Sequence, residues 1–169
     1  MLWRTHFLAG AAAGLLLTGH HADLRTAAIS VGVAGVAALL PDLDDPESKV
    51  GRMVPIVSWT IKKAVGHRGP LHSLAGAGVM SLLAAFVMWF WYAHTLVFSH
   101  LLPLVLVGYI SHLVMDSLNP QGVPWLWPVE THFRVPLIQT GGLLEHLAVT
   151  LAMLVLCGWL LWPIIKTTV

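Results

Sequence analysis

The sequence predicts an all-α polytopic membrane helical bundle, with about five transmembrane helices and a short interfacial helix. Hydrophobic residues make up 57% of the 169 residues and charged residues only 10%, whereas a soluble domain carries about 25% charged residues. The apolar residues gather in five segments that approach the roughly 20 residues a membrane span needs. Too little sequence remains for a soluble domain, so residues 1–169 are predicted to form a single membrane-embedded domain.

The five predicted spans are residues 5–19, 25–41, 71–93, 98–116 and 143–164. The first two are rich in Gly and Ala, which favours close packing of helices within the chain or between copies, so the oligomeric state stays open. Aromatic residues at 88–92 and 124–128 are typical of a membrane–water interface. Residues 52–65 repeat apolar side chains near helical spacing opposite Lys62 and Lys63, which predicts the interfacial helix, with an ordinary connecting loop as the alternative.

The positive charges predict the orientation. With five spans, one side of the membrane holds seven of the nine Lys and Arg residues, namely Arg4, Lys49, Arg52, Lys62, Lys63, Arg68 and Arg134. Because Lys and Arg concentrate in cytoplasmic loops, we expect this side to face the cytoplasm and the protein to lie in the inner (plasma) membrane. The few basic residues are explained by topology, so nucleic-acid binding is not predicted. Arg4 before an apolar stretch is also typical of a signal peptide, but we expect no cleavage there.

Eight side chains that can bind a metal lie at span ends on the predicted cytoplasmic side: His6, Asp42, Asp44, His67, His72, His112, Asp116 and Glu145. Polar groups near hydrocarbon are costly unless they bind something. Each one alone has an ordinary explanation, such as a buried hydrogen bond or a solvated loop. Their convergence from all five spans predicts a metal site, and the i, i+4 spacing of His112 and Asp116 places both on one helix face. The remaining histidines are predicted to be structural or exposed, with His132 and His146 as weaker candidates.

The types of these residues predict the metal and the chemistry. Cys157 is the single cysteine and lies in an apolar run, so the ligands are nitrogen and oxygen atoms, which suit Zn²⁺ and also Mn²⁺ or Fe²⁺. Eight candidates exceed the three protein ligands of one catalytic zinc and favour two ions bridged by Asp42 or Asp44. Such pairs serve phosphoester and amide hydrolysis. Asp44 is predicted to be a bridging ligand or the general base, and Glu145 a ligand or a residue that orients one. Arg68 would stabilise phosphoryl oxygens or anchor a lipid headgroup.

At these residues the chain resembles the YdjM-type family of inner-membrane metal-dependent hydrolases. The shared phrases cover residues 39–44, 66–69 with His72, 108–112 with Asp116, 122–128, 133–136 and 141–145. The resemblance spans nearly the whole chain and implies a membrane-bound hydrolase. A fainter likeness to zinc-dependent phospholipase C is carried by Thr5-His6, Leu40-Pro41-Asp42 and Ser111-His112 to Asp116. It implies several zinc ions and phosphoester cleavage, although this chain is membrane-embedded and has much shorter connections between the motifs.

These observations together predict a membrane-bound, di-zinc hydrolase that uses metal-activated water on a phosphoester of a lipid or amphiphile. Its catalytic residues would be Asp44, Arg68 and Glu145. A membrane amidase or peptidase would use the same metals on a carbonyl carbon. A non-enzymatic metal-binding scaffold or a transport protein is the other alternative. A transporter needs polar groups through the full membrane depth, whereas the far halves of the predicted spans are apolar apart from groups such as His20 and His100.

Overall fold

The computed structural model describes residues 1–66, 68–92, 98–129 and 131–168. Its α-helices are α1 (Trp3–Thr18), α2 (Leu24–Ala37), α3 (Pro55–Val65), α4 (Leu74–Tyr92), α5 (Phe98–Ser117) and α6 (Thr150–Thr168), the last preceded by a π-helical turn at Glu145–Val149. The described residues contain no β-strand, and an isolated bridge pairs Val123 with Phe133. The predicted fold class, a helical membrane bundle, is confirmed.

Within the described part of the chain, four helical segments are long and apolar enough to cross a membrane: Leu24–Asp44, Leu74–Trp91, His100–Ser117 and Glu145–Lys166. They correspond to four of the five predicted spans. The remaining one, predicted at residues 5–19, is α1, which has 16 residues. A helix of that length extends about 24 Å, less than the ~30 Å hydrocarbon core of a bilayer. α1 packs among α2, α5 and α6 and buries most of its Ala and Gly residues, and its crossing of the membrane stays a prediction.

Small residues let α1 and α5 lie directly on the backbone of α2. A Cβ atom at Gly14 would lie 2.6 Å from the carbonyl oxygen of Ser30, and one at Gly10 would overlap the backbone of Ala34. Gly108 of α5 approaches the same Ala34 backbone from another side. Gly10 and Gly14 of the first predicted span therefore serve contacts within the chain, whereas Gly32 of the second has open space around it. These contacts bring the start of α1 and the end of α5 to the end of α2.

The segment between α2 and α4 crosses the same end of the bundle. It contains 3₁₀ turns at Pro41–Asp44, Gly51–Met53 and Pro70–His72, with α3 between the last two. α3 falls inside the range predicted for the interfacial helix, so this range is a helix rather than a connecting loop. It buries Ser58 and exposes Ile56 and Trp59. Its placement on a membrane surface stays a prediction.

Candidate metal centre

Polar residues from four parts of the chain meet at one end of the bundle. α1 supplies His6, the turn after α2 supplies Asp42, the turn before α4 supplies His72, and α5 supplies His112 and Asp116. One ligand atom from each of His6, Asp42 and His112 lies within 4.8 Å of the others, and the same holds for His72, His112 and Asp116. All three histidines are fully buried. We call these five residues the His/Asp cluster.

The rings of His72 and His112 face each other through their Nε2 atoms, which lie 3.3 Å apart. Nδ1 of His112 lies 2.7 Å from the carbonyl oxygen of Ala38, and Nδ1 of His72 lies 3.1 Å from Oδ2 of Asp44. When the carbonyl and the carboxylate each accept a hydrogen bond from an Nδ1–H group, two neutral rings point their Nε2 lone pairs at each other. A proton or a metal ion between the two Nε2 atoms would remove this repulsion. Metal-binding histidines are typically oriented in this way by a partner on the second ring nitrogen.

His6 stacks on His112, with ring centroids 3.7 Å apart and an angle of 16° between the planes. Its Nε2 atom lies 3.3 Å from Oδ1 of Asp116. Neither ring nitrogen of His6 has a hydrogen bond of suitable geometry within the described residues. Buried polar atoms are normally hydrogen-bonded, so this buried imidazole beside carboxylates is a candidate metal ligand.

Asp116 lies at the centre of the cluster and is only 2% exposed. Its two oxygens are surrounded by ring nitrogens at 3.3 Å (His6), 3.7 Å (His112) and 3.9 Å (His72). Asp42 approaches the cluster from the edge, with Oδ1 3.8 Å from Nε2 of His112, and its side chain is 17% exposed. The bridging role that the sequence suggested for Asp42 or Asp44 stays a prediction, and Asp116 is the carboxylate nearest to all three rings.

Arg68 lies beside the cluster in a strained backbone conformation, with φ at 60°, which residues other than Gly rarely adopt. Its backbone N–H donates to Oδ2 of Asp44 at 3.1 Å, and Nη1 donates to the carbonyl oxygen of Gly122 at 3.0 Å. Nη2 lies 3.1 Å from Oδ2 of Asp116. The Nε atom is buried and has no partner among the residues that the structure describes. Such strain persists where the surroundings fix it, often at functional sites.

Asp44 and Glu145 contact backbone N–H groups. Oε1 of Glu145 accepts a hydrogen bond from Leu2 at 2.6 Å, and Oε2 accepts one from Gly141 at 2.8 Å. Glu145 thereby ties the start of α1 to the chain before the π-helical turn. Neither carboxylate belongs to the groups of closely spaced ligand atoms in the described chain. Their contacts favour an orienting role for Glu145 and the positioning of His72 by Asp44, while the bridging or general-base role predicted for Asp44 stays a prediction.

The other histidines that the structure describes lie outside the cluster. His67, the remaining predicted ligand, lies outside the described residues, as does His94. The rest are exposed, as the sequence predicted for structural or surface positions: His20, His21, His100, His132 and His146. The carbonyl groups of Ala38 and Gly122, which hold His112 and Arg68, were not expected, because a backbone acceptor leaves no signal in the sequence.

The cluster opens into a polar cavity of about 560 Å³. Asp42, Arg68 and Asp116 form part of its wall, and loop residues 45–49, 119–121 and 139–140 contribute most of the remainder. The volume is within the range of ~300–1,000 Å³ that is usual for small-ligand sites. The cavity therefore offers space for a polar ligand next to Arg68 and the two cluster carboxylates.

Comparison with known proteins assigns the chain to a family. Residues 1–168 match the family described as YdjM inner membrane protein. The chain belongs to the YdjM family. It is 37% identical over 132 residues to the inner membrane protein YdjM of Escherichia coli (strain K12) and to that of Shigella flexneri, a match that covers 74% of this chain and 63% of each relative. It is 30% identical over 151 residues to YvsG of Bacillus subtilis (strain 168), covering 87% of this chain and 86% of YvsG.

No solved structure matches this YdjM-family chain. The family and the apolar helices confirm a multi-pass protein of the inner membrane. The membrane side on which the His/Asp cluster lies stays a prediction. The likeness to zinc-dependent phospholipase C is not shown by these matches and stays a prediction too.

Proposed function

We propose that this YdjM-family protein is a membrane-bound, metal-dependent hydrolase that cleaves a phosphoester of a lipid or amphiphile at the cytoplasmic membrane face. One observation carries the proposal. Three buried imidazoles and two carboxylates from separate parts of the chain meet in one cluster beside a polar cavity. Two of the rings are also fixed through Nδ1, so that both Nε2 atoms point into the cluster.

The donor set supports zinc as the ion, with Mn²⁺ or Fe²⁺ as alternatives, because it combines nitrogen and oxygen atoms without sulfur. His112 belongs to both groups of closely spaced ligand atoms, but its Nδ1 atom contacts Ala38. Only Nε2 is left for coordination, so His112 can bind one ion. His6 and Asp42 would hold a second ion, and Asp116 lies next to both groups of ligand atoms.

Zinc bound in such a site supplies an activated water and stabilises negative charge during hydrolysis. Arg68 would bind a phosphoryl oxygen, since it lines the cavity and carries a positive charge there. Asp44 would keep the ring of His72 in place. Asp44 is fully buried and takes two contacts on Oδ2, whereas Asp42 borders both the cluster and the cavity. Of these two carboxylates, Asp42 is thus better placed to receive a proton from water.

The experiment is a mass-spectrometric screen of zinc-loaded protein against a phospholipid pool and a peptide pool. We expect phosphoester products from the wild type and none from His112→Ala. His132→Ala, which changes an exposed histidine outside the cluster, is the matched control and should keep the activity. Products from the peptide pool alone would favour the membrane amidase or peptidase. Equal activity in the wild type and His112→Ala would contradict the proposal.

A further inference from the structure

A second large cavity lies between α2 and α4. It is a groove of about 640 Å³ whose lining side chains are all apolar. α2 and α4 both pack against α5, and Val105 of α5 contributes to the lining between them. Val36, Leu83 and Val87 line the groove, lie in candidate membrane spans and are more than half exposed. In a bilayer the groove would therefore open sideways to lipid.

The length and position of the groove relate it to one membrane leaflet. Its lining on α2 and on the residues directly after α2 runs from Ile29 to Leu40, which is about 17 Å along a helix and close to half of the ~30 Å hydrocarbon core. Leu40 is two residues before Asp42. The segment that joins α2 to α4 carries both Asp42 and His72 and crosses the same end of the groove. The groove thus runs from the level of the His/Asp cluster towards the bilayer midplane.

We infer that this groove holds one acyl chain of the lipid substrate, taken from the leaflet on the cluster's side of the membrane. The inference rests on the proposed hydrolase function and narrows its substrate class. A chain in the groove would leave the headgroup at the turn that carries Asp42, which also lines the polar cavity. The substrate is then a long-chain lipid rather than a water-soluble phosphoester.

Gly32 gives a direct way to fill the groove. It lines the groove, and a Cβ atom added there would meet nothing within 4 Å, so a larger side chain displaces no backbone. Gly158 of α6 is equally unobstructed and lies outside the groove. Gly32→Phe and Gly158→Phe are therefore matched test and control variants.

The proteins would be reconstituted in phosphatidylethanolamine–phosphatidylglycerol vesicles that contain a trace of phosphatidylglycerol with a diazirine in one acyl chain. After irradiation, adducts would be mapped by mass spectrometry. We expect them to concentrate on groove residues such as Met80 and Leu83. Gly32→Phe should lower the yield about tenfold, because losing contact with about two methylene groups lowers affinity that much, and Gly158→Phe should not. Even labelling of the groove and the exposed face of α6, or an unchanged yield in Gly32→Phe, would overturn the inference.

Two further readouts separate this inference from the proposed function. Metal content and labelling would be measured on the same samples. Groove labelling without bound metal or hydrolysis would contradict the hydrolase alone, whereas bound metal without groove labelling would contradict the acyl-chain inference alone. In active protein, Gly32→Phe should lower kcat/KM for a long-chain phospholipid about tenfold, by the same loss of apolar contact, and leave hydrolysis of p-nitrophenyl phosphate unchanged. An equal loss on both probes would overturn the inference.

Discussion

Replacing Asp116 by Asn should weaken zinc binding severely while preserving the shape of the side chain. Asp116 faces three ring nitrogens at 3.3–3.9 Å, and Arg68 at 3.1 Å. The loss of an outer partner of a metal ligand already costs about 10- to 100-fold in affinity. Because Asp116 faces the ring nitrogens directly, we expect a loss of at least about 100-fold, which corresponds to about 2.8 kcal/mol.

The affinity would be measured in detergent by titration against a zinc-chelating fluorophore. Circular dichroism of the same samples would establish that both proteins keep their helical content. Glu47→Gln is the matched control, since Glu47 is an exposed carboxylate that lines the same cavity outside the cluster. Its affinity should stay close to that of the wild type. An unchanged affinity in Asp116→Asn, or an equal loss in Glu47→Gln, would refute the reasoning.

Three further predictions concern the support of the cluster, the helix packing and the orientation. Asp44→Asn should lower zinc affinity about 10- to 100-fold by loosening His72, measured by the same titration. Gly108→Ala should destabilise the protein by about 1–3 kcal/mol, the usual cost of overpacking, because the new Cβ would overlap the backbone of Ala34; thermal unfolding in detergent measures it. Glu47→Cys, in a chain without the native cysteine, should react with a membrane-impermeant maleimide from the cytoplasmic side alone.

A different result would contradict each of these predictions. The prediction for Asp44→Asn is contradicted if this variant binds zinc with the affinity of the wild type. For Gly108→Ala the contradicting result is a melting temperature equal to that of Gly158→Ala, the control at an unobstructed glycine. Labelling of the introduced cysteine from the periplasmic side would place the cluster on the opposite face of the membrane.

Much of the fold could be predicted because long apolar segments have few alternatives in a membrane. The four helices that can span the bilayer and the position of α3 follow from that pattern. α1 was expected to be a fifth span because its composition is apolar; it has 16 residues, and its crossing of the membrane stays a prediction. Its Gly and Ala residues are mostly buried among three other helices.

The site could be predicted in part. Two features of the sequence were enough to predict that five ligand candidates lie close together. They are the i, i+4 spacing of His112 and Asp116 and the position of the other candidates at the ends of neighbouring helices. The orientation of the remaining carboxylates depends on local backbone geometry. Asp44 turns towards the N–H of Arg68, a residue with positive φ, and Glu145 begins a π-helical turn. No residue pattern in the sequence indicates either geometry.

The most direct test of the metal centre is the metal content of protein purified in detergent without chelators, measured by plasma mass spectrometry. The account predicts a stoichiometric transition metal, about two zinc ions per chain for a two-metal site. This content should fall in both His112→Ala and Asp116→Ala. The absence of any stoichiometric transition metal in the wild type, or full retention in both variants, would contradict the assignment of the His/Asp cluster as a metal site.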